Sequence, residues 1–209
     1  YALAKELELL YKTEVNLQND GKCAGLAEKE YGALKKYNDC IFLCIGTGVG
    51  SAVFINGDML KPIQNPGFEL GHMVIDKNGI KCNCGKNGCY ETFASMKRFK
   101  ARAIEELGLD KNLLGEEVQN YIRENINKEK VNKFVNEYLN NVSIGLANLI
   151  TIFEPEAICF GGSFSYYTDI FIPILEEKIK DNLFNKDTKV KLVRAKLKND
   201  AGIIGASLL

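Results

Sequence analysis

The chain has 209 residues and a mass of 23.3 kDa, a size that fits one large domain or two small ones. Hydrophobic residues make up 46% and charged residues 26% of the chain, which excludes a collagen, a disordered tail and a small disulfide scaffold. The 27 basic side chains equal the 27 acidic ones, so no basic excess favours nucleic acid or an anionic membrane surface. No apolar run approaches the roughly 20 residues that span a bilayer. Because the chain begins at Tyr1 and has no secretory signal, we expect a piece of a longer cytoplasmic protein, cut before Tyr1.

Apolar spacing in the first part of the chain predicts two helices and a run of strands. The predicted elements are a helix over 1–12, a strand over 13–18, a helix over 23–36, and strands over 40–45 and 51–55. Asn56-Gly57 is a two-residue hairpin signal and predicts a third strand after it.

The second part begins with a loop-rich, cysteine-bearing stretch over 62–90 and continues with helices and strands. The predicted elements are helices over 91–107, 114–126 and 131–153, a strand over 157–160, a turn over 161–163, a helix over 166–180, a strand over 190–193 and a helix over 202–209. Pro155 is expected to stop the long helix, because proline lacks the amide donor that a helix needs. The order of elements predicts an α/β fold with one irregular insertion.

Cysteines form the densest chemical cluster in the sequence. Cys82, Cys84 and Cys89 lie in a glycine-bent loop, and the only histidine, His72, lies ten residues before Cys82. Three thiolates and an imidazole suit tetrahedral zinc, and a full set of protein ligands indicates a structural rather than a catalytic ion. A disulfide, free reduced thiols and an iron–sulfur cluster are the alternatives. A disulfide would leave an odd thiol, and a cluster would want a fourth cysteine.

Two glycine-rich turns follow apolar strands. Gly46-Thr47-Gly48-Val49-Gly50 lacks the Lys-Ser/Thr ending of a P-loop, and no helix follows it. It is either an ordinary hairpin turn or a set of backbone N–H groups that bind an anion. Gly161-Gly162-Ser163 lies between a strand and a helix, a place where α/β proteins often bind nucleotides.

Several carboxylates lie close to these loops in sequence. Asp20 follows Asn19 ahead of a helix, so it is either the helix N-cap or a general base. Glu69 precedes His72 by three residues and Glu91 follows Cys89 by two. A metal that holds His72 and Cys89 would therefore bring both carboxylates together, where they could bind vicinal sugar hydroxyls. The alternative for Glu91 is a favourable charge in the first turn of the next helix.

Taken together, these motifs resemble the ROK family of repressors, open reading frames and sugar kinases. The matching residues are Asn19-Asp20, Gly46-Thr47-Gly48-Val49-Gly50, Glu69-Leu70-Gly71-His72, Cys82-x-Cys84-Gly85-x-x-Gly88-Cys89-x-Glu91 and Gly161-Gly162. They span most of the chain in the order that the family has. The resemblance implies the actin-like, ribonuclease H-like ATPase fold of sugar kinases, mainly its C-terminal domain with a zinc-binding loop.

The resemblance also implies a role for each matched residue. Asp20 would be the catalytic base that deprotonates a sugar hydroxyl for attack on the γ-phosphate of ATP. The sugar would be bound by Asn19, Asp20, Glu69, His72 and Glu91. The phosphates would contact Gly46, Thr47 and Gly48, and the adenosine side would be formed by Gly161 and Gly162. Structural Zn²⁺ would be held by His72, Cys82, Cys84 and Cys89, with Mg²⁺ accompanying the nucleotide.

The chain also departs from the family pattern. Family members begin with an Asp-x-Gly-Gly-Thr turn that this sequence lacks, so we expect the isolated chain to be unable to phosphorylate sugar. Residues 1–38 are predicted to be the tail of an N-terminal domain carrying the Asn-Asp pair. Residues 39–209 are predicted to be the C-terminal nucleotide-binding domain, with its zinc loop at about 69–91. Gly21-Lys22 replaces the more usual Ala-Asn, and Phe68 replaces a small residue and is expected to narrow or reshape the sugar pocket.

The favoured function is ATP-dependent phosphorylation of a hexose or N-acetylhexosamine. The alternatives are a sugar-responsive transcriptional repressor of the same family and a non-catalytic sugar-binding or structural zinc protein. Repressors commonly lose the Gly-Thr-Gly loop, whereas Gly46-Thr47-Gly48 and Asp20 are both present here. A homodimer or higher homo-oligomer is expected, with no nucleic acid and no membrane partner.

Overall fold

A single mixed sheet organises the chain, and the computed structural model describes residues 2–63 and 67–209. The strands are β1 (Cys40–Ile45), β2 (Val49–Ile55), β3 (Asp58–Met59), β4 (Ala157–Gly161) and β5 (Lys191–Arg194). Their order in the five-stranded sheet is β3-β2-β1-β4-β5. β1, β2 and β3 pair antiparallel, whereas β4 pairs parallel with β1 and with β5. The predicted α/β fold is confirmed.

Alternating side chains on β1 divide the interior into two cores. Ile41, Leu43 and Ile45 face the larger core, while Cys40 and Phe42 face the smaller one on the other side of the sheet. Because successive strand residues point to opposite faces, a fully apolar strand signals helices on both sides. The sequence predicted β1 over 40–45, the same bounds, because the run is apolar throughout.

Helices cover both faces of the sheet. They are α1 (Leu3–Tyr11), α2 (Asp20–Glu30), α3 (Glu91–Ala94), α4 (Met96–Leu107), α5 (Gly115–Asn125), α6 (Glu129–Phe153), α7 (Thr168–Asn182) and α8 (Ala201–Ala206). Short 3-10 turns are formed by Leu70–His72, Gly162–Tyr167 and Lys198–Asp200. None of the helices in the described ranges is both long and apolar enough to cross a membrane.

The long helix α6 carries the apolar stripe that predicted it. Phe134, Tyr138 and Leu146 on this stripe are buried in the larger core. The helix ends at Phe153, where Glu154 adopts a left-handed conformation and its N–H bonds to the carbonyl of Ile150. The end therefore falls two residues before Pro155, as helices usually stop ahead of a proline.

Helix α2 packs on the smaller core, against β1, β2 and α8. Contact between α2 and α8 is so close that a Cβ atom on Gly205 would lie 1.7 Å from the carbonyl oxygen of Cys23. Only glycine permits this approach, so the position of α8 is fixed by backbone contact. The predicted domain boundary between residues 38 and 39 stays a prediction.

Some predicted elements are wrong. Residues 13–18 form no strand, because they are largely exposed and no strand of the described chain pairs with them. The predicted helix over 91–107 is broken at Ser95, whose hydroxyl accepts the N–H of Arg98 and caps α4. α2 also ends at Glu30, earlier than the predicted residue 36. The chain turns there, and the N–H groups of Gly32 and Leu34 both bond to the carbonyl of Glu28.

Candidate functional site

A cleft of about 800 Å³ opens beside the β1–β2 turn and the carboxyl end of β4. The sequence-predicted residues that line it are Asp20, Gly46, Thr47, Gly48, Glu69, His72, Glu91, Gly161 and Gly162. These residues come from separate parts of the sequence. The fold therefore brings most of the predicted catalytic, sugar-binding and phosphate-binding residues to one cavity, at a strand end where α/β proteins commonly bind ligands. Asn19, also predicted to bind sugar, is not among the residues that line it.

The Asn19-Asp20 pair begins α2, and its two side chains do different work. Asn19 is the N-cap, because its side-chain oxygen accepts the N–H of Lys22 at 3.2 Å. Asp20 is the first residue of the helix, and its Oδ1 accepts the N–H of Gly21 at 2.8 Å. The alternative that made Asp20 the N-cap is therefore wrong. Asp20 lines the cleft, and Asn19 caps the helix.

Glu69 also lines the cleft, in the segment that leads to His72. Its side chain is 29% exposed, and its carboxylate lies 3.7 Å from the ammonium group of Lys22. The hydroxyl of Ser51 fixes the same segment by donating to the carbonyl of Phe68 at 2.8 Å and accepting the N–H of Leu70 at 3.3 Å. Sequence reasoning did not identify Lys22 or Ser51 as supports of the site.

Glu91 links the cysteine loop to the glycine turn. It is the first residue of α3, as the helix-start alternative expected. Its Oε1 lies 3.0 Å from Cys82 Sγ and 3.7 Å from His72 Nδ1. Its Oε2 would lie 2.8 Å from a Cβ atom on Gly48, so a side chain there would collide with this carboxylate.

The cysteines and the histidine converge as a metal site requires. One ligand atom each from His72, Cys82, Cys84 and Cys89 lies within 4.8 Å of all the others. Cys84 Sγ and Cys89 Sγ are 3.4 Å apart, and Cys82 Sγ is 3.6 Å from His72 Nδ1. Zn–S bonds of about 2.3 Å in a tetrahedron place sulfurs roughly 3.8 Å apart, so the donor set fits zinc. All cysteines of the described chain are free, which leaves no disulfide in this cluster.

Backbone geometry holds the loop in this shape. Single antiparallel bridges join Val74 to Cys89 and Lys81 to Asn87. Gly88 has φ +68°, and a Cβ atom there would lie 1.5 Å from the carbonyl oxygen of Asp76. The predicted need for glycine in the loop is thereby confirmed at this position.

The pKa values of the three thiols shift in different directions without a metal. Burial raises the pKa of the Cys82 thiol to about 12, whereas the backbone N–H of Lys86 lowers the pKa of exposed Cys84. Burial also raises the pKa of Cys89. The ammonium group of Lys86 donates to the carbonyl of His72 at 2.9 Å, so a positive charge lies against the cluster.

The glycine turns lie next to each other across the ends of β1 and β4. The N–H of Gly46 bonds to the carbonyl of Gly48 at 3.0 Å and closes the β1–β2 turn. Gly162 has φ +66°, and a Cβ atom on it would lie 2.6 Å from the carbonyl oxygen of Ile45. Only a glycine lets the turn after β4 approach the end of β1 this closely, and both turns line the cleft.

A second cavity of about 600 Å³ adjoins the first, and the two share Gly46, Thr47, Ser163 and Tyr166. Its other walls come from α4 and α5, including Met96, Lys100 and Gln119. Gln119 Nε2 donates to the carbonyl of Tyr166 at 2.7 Å and so fixes the turn between the cavities. The sequence carried no signal for this cavity, because ordinary amphipathic helices form it.

Comparisons with known proteins agree with this geometry. The profile of the ROK family matches residues 1–209. The chain is 30% identical to the glucokinase of Thermotoga maritima over 228 residues, covering 98% of this chain and 68% of that protein. It is 27% identical to the xylose repressor of Bacillus subtilis over 211 residues, covering 98% of this chain and 52% of that protein.

Among solved structures, the ROK hexokinase of Thermus thermophilus superposes with a TM-score of 0.83 at 27% identity. The superposition covers 99% of this chain and 68% of that one. The chain thus spans about half the length of the repressor and two thirds of the kinases. The resemblance drawn from the motifs and the predicted sugar-kinase fold are both confirmed.

Proposed function

Because the chain belongs to the ROK family, we propose that the complete protein transfers the γ-phosphoryl group of ATP to a hydroxyl of a hexose or N-acetylhexosamine. The observation that carries the proposal is the shared cleft, which unites Asp20 and Glu69 with the Gly46–Gly48 turn. A base, hydroxyl acceptors and an anion-binding turn are the parts that phosphoryl transfer to an alcohol needs.

At the sugar end, carboxylates provide acceptors for a ligand rich in hydroxyl donors. Asp20 accepts the proton of the reacting hydroxyl, and Asn19, Glu69, His72 and Glu91 bind the remaining hydroxyls. Zinc, where bound by His72 and the three loop cysteines, would fix the shape of this loop. Glu91 and His72 are oriented by this loop, so the ion acts through the position of its ligands. A glucose-like hexose is the favoured acceptor.

At the nucleotide end, the Gly46–Gly48 turn offers backbone N–H groups to the phosphates. Gly161 and Gly162 form the adenosine side, and the adjoining cavity beside Tyr166 accommodates the base. Magnesium would neutralise phosphate charge when the nucleotide is bound. Catalysis would rest on positioning and electrostatics, because phosphoryl transfer leaves little covalent chemistry to the protein.

The test is an ADP-release assay on the complete protein with Mg-ATP and a panel of hexoses and N-acetylhexosamines. We expect turnover on at least one sugar, and a fall of about 10²–10⁴ in kcat for Asp20→Asn, because the variant loses its proton acceptor. Sugar binding by Asp20→Asn, measured by calorimetry, should persist. The isolated 209-residue chain is expected to release no ADP.

A matched control is Asp181→Asn, which changes an exposed carboxylate on α7 away from the cleft and should leave kcat unchanged. Full turnover by Asp20→Asn would contradict the proposal for the base. If the wild-type protein releases no ADP with any sugar, the kinase proposal itself is contradicted.

The second candidate is a sugar-responsive repressor, favoured by the similarity to the xylose repressor of Bacillus subtilis. The retained Gly46-Thr47-Gly48 turn and the Asp20 carboxylate in the cleft favour the kinase. Sequence upstream of Tyr1 separates the two, since Asp-x-Gly-Gly-Thr indicates a kinase and a basic helix-turn-helix indicates a repressor. Sugar binding without ADP release would also favour the repressor.

A further inference from the structure

A buried lysine lies behind the wall of the cleft. Lys22 belongs to the first turn of α2, two residues after Asp20, and its side chain is only 5% exposed. An ammonium group is rarely buried unless polar groups surround it, because removal from water is costly. Lys22 is therefore placed there by specific partners.

Those partners belong to the segment that carries Glu69. The ammonium group donates to the carbonyl oxygen of Gly67 at 2.9 Å and lies 3.7 Å from Glu69 Oε1. The backbone of Lys22 is fixed as well, since its N–H bonds to the side chain of Asn19. One residue thus connects the helix that presents Asp20 to the segment that presents Glu69.

That segment needs support, because it contains a bulky residue in an unfavourable conformation. Phe68 has φ +56°, in the left-handed region that a side chain disfavours. Phe68 is not among the described residues that line the cleft, and the expectation that it narrows or reshapes the sugar pocket stays a prediction.

The segment is held at both ends of this residue. Lys22 binds the carbonyl of Gly67 ahead of Phe68, and Ser51 binds the carbonyl of Phe68 and the N–H of Leu70 behind it. Ser51 supplies only neutral hydrogen bonds. Lys22 alone, among the described contacts of this segment, adds a positive charge beside the carboxylate of Glu69.

We propose that Lys22 is a positioning residue, which fixes the Glu69 carboxylate as an acceptor for sugar hydroxyls in the cleft that Asp20 also lines. This inference rests on the proposed sugar site. A fixed separation between two acceptors selects among sugars. Lys22 does not face the cleft and acts through Glu69.

The experiment compares the complete, zinc-loaded wild-type protein with Lys22→Met and Lys22→Arg. Methionine retains the apolar stem and removes the charge. We expect Lys22→Met to raise the KM for the sugar about tenfold or more, while the KM for ATP changes less than about twofold. Lys22→Arg, which restores a cation, should recover part of the sugar affinity.

The matched control is Lys35→Met, which removes an exposed lysine beyond the end of the same helix and should leave both KM values unchanged. Hydrogen exchange provides a readout that needs no turnover. In Lys22→Met, the amide protons of residues 68–72 should exchange faster, while those of the β1–β2 pairing keep their protection.

The outcomes separate the two proposals. An active wild-type protein whose sugar KM is unchanged by Lys22→Met would overturn the role of Lys22 and leave the kinase intact. An equal rise of both KM values would also overturn it, as general damage to the fold. If the wild-type protein phosphorylates no sugar, the kinase proposal fails. Hydrogen exchange of the amides of residues 68–72 then tests Lys22 by itself. Faster exchange in Lys22→Met supports its role, and unchanged exchange overturns it.

Discussion

Glu28 is the most completely buried carboxylate of the described chain, and it has a structural task. Its Oε1 accepts the N–H groups of Lys196 at 2.8 Å and Leu197 at 2.7 Å, and its Oε2 accepts that of Ala33 at 2.7 Å. It is 0% exposed. Charged acceptors satisfy buried backbone donors well, so Glu28 joins the end of α2 to the segment that leads into α8.

Replacement of Glu28 should therefore cost stability. We expect Glu28→Ala to lower the free energy of unfolding by about 3 kcal/mol, since it leaves buried N–H groups without an acceptor. Glu28→Gln, which retains one acceptor oxygen, should cost less. Urea denaturation of the complete protein measures both, with exposed Glu30→Ala as the control. A loss as small as that of the control would contradict the assigned role.

The residues of the site differ in how readily the sequence discloses them. The spacing of Cys82, Cys84 and Cys89 was visible because a loop that folds around an ion needs its ligands close in sequence. The role of Lys22 was not visible in the sequence, because its buried ammonium group depends on the carbonyl of Gly67, 45 residues away. Contacts of that range come from the packing of elements, and no local pattern encodes them.

At the scale of elements, an exposed ion pair connects α5 to the start of α7. Arg123 donates to both carboxylate oxygens of Asp169 and to the carbonyl of Tyr166. The hydrogen bond from Arg123 lowers the pKa of Asp169 from its ordinary value of 3.8. The pair thereby holds α5 against the turn that carries Tyr166, on the wall of the smaller cavity.

This pKa shift predicts how the pair responds to pH. A carboxyl whose pKa is depressed by folding stabilises the protein above pH 3.8, and the contribution is lost as the pH falls through the lower folded-state value. Because the side chains are 33% and 59% exposed, solvent screens the pair. We expect Asp169→Asn to cost only about 0.5 kcal/mol at neutral pH, and the difference to vanish well below pH 3.8.

Thermal unfolding of the wild-type protein and Asp169→Asn at several pH values measures this difference. Asp181→Asn, on the exposed face of α7, is the control. A difference between wild type and Asp169→Asn that grows as the pH falls would contradict the assigned sign.

Most elements were predictable from local pattern, and the failures have a common cause. β1 was predicted with its observed bounds, because a short apolar run bounded by polar residues and glycine has few alternatives. Residues 13–18 alternate equally well but form no strand, since a strand also needs a neighbour to pair with. The break at Ser95 has a local signal, a serine that caps a helix, which the prediction of one helix over 91–107 did not use.

At the scale of the whole molecule, zinc would couple the cysteine loop to the cleft. We expect the complete protein to contain about one Zn²⁺ per chain, and its removal by a chelator to lower the unfolding midpoint by about 5–10 °C. Elemental analysis and thermal unfolding measure the two effects. Cys84→Ser should reduce the zinc content, because it removes one ligand of the cluster.

Cys44→Ser is the matched control, since Cys44 lies in the cleft outside the ligand cluster. It should leave the zinc content unchanged. A chain that contains no zinc and has the same unfolding midpoint with and without chelator would contradict the zinc proposal.

The contact between α2 and the last part of the chain can form only late in synthesis. Glu28 leaves the ribosome 168 residues before Lys196, its hydrogen-bond donor. At about 5–20 residues per second, the interval is about 10–30 s. During it, the face of α2 that packs against α8 lacks its partner. A nascent chain halted in this interval exposes that face, which is the surface that chaperones and proteases recognise in unfinished proteins.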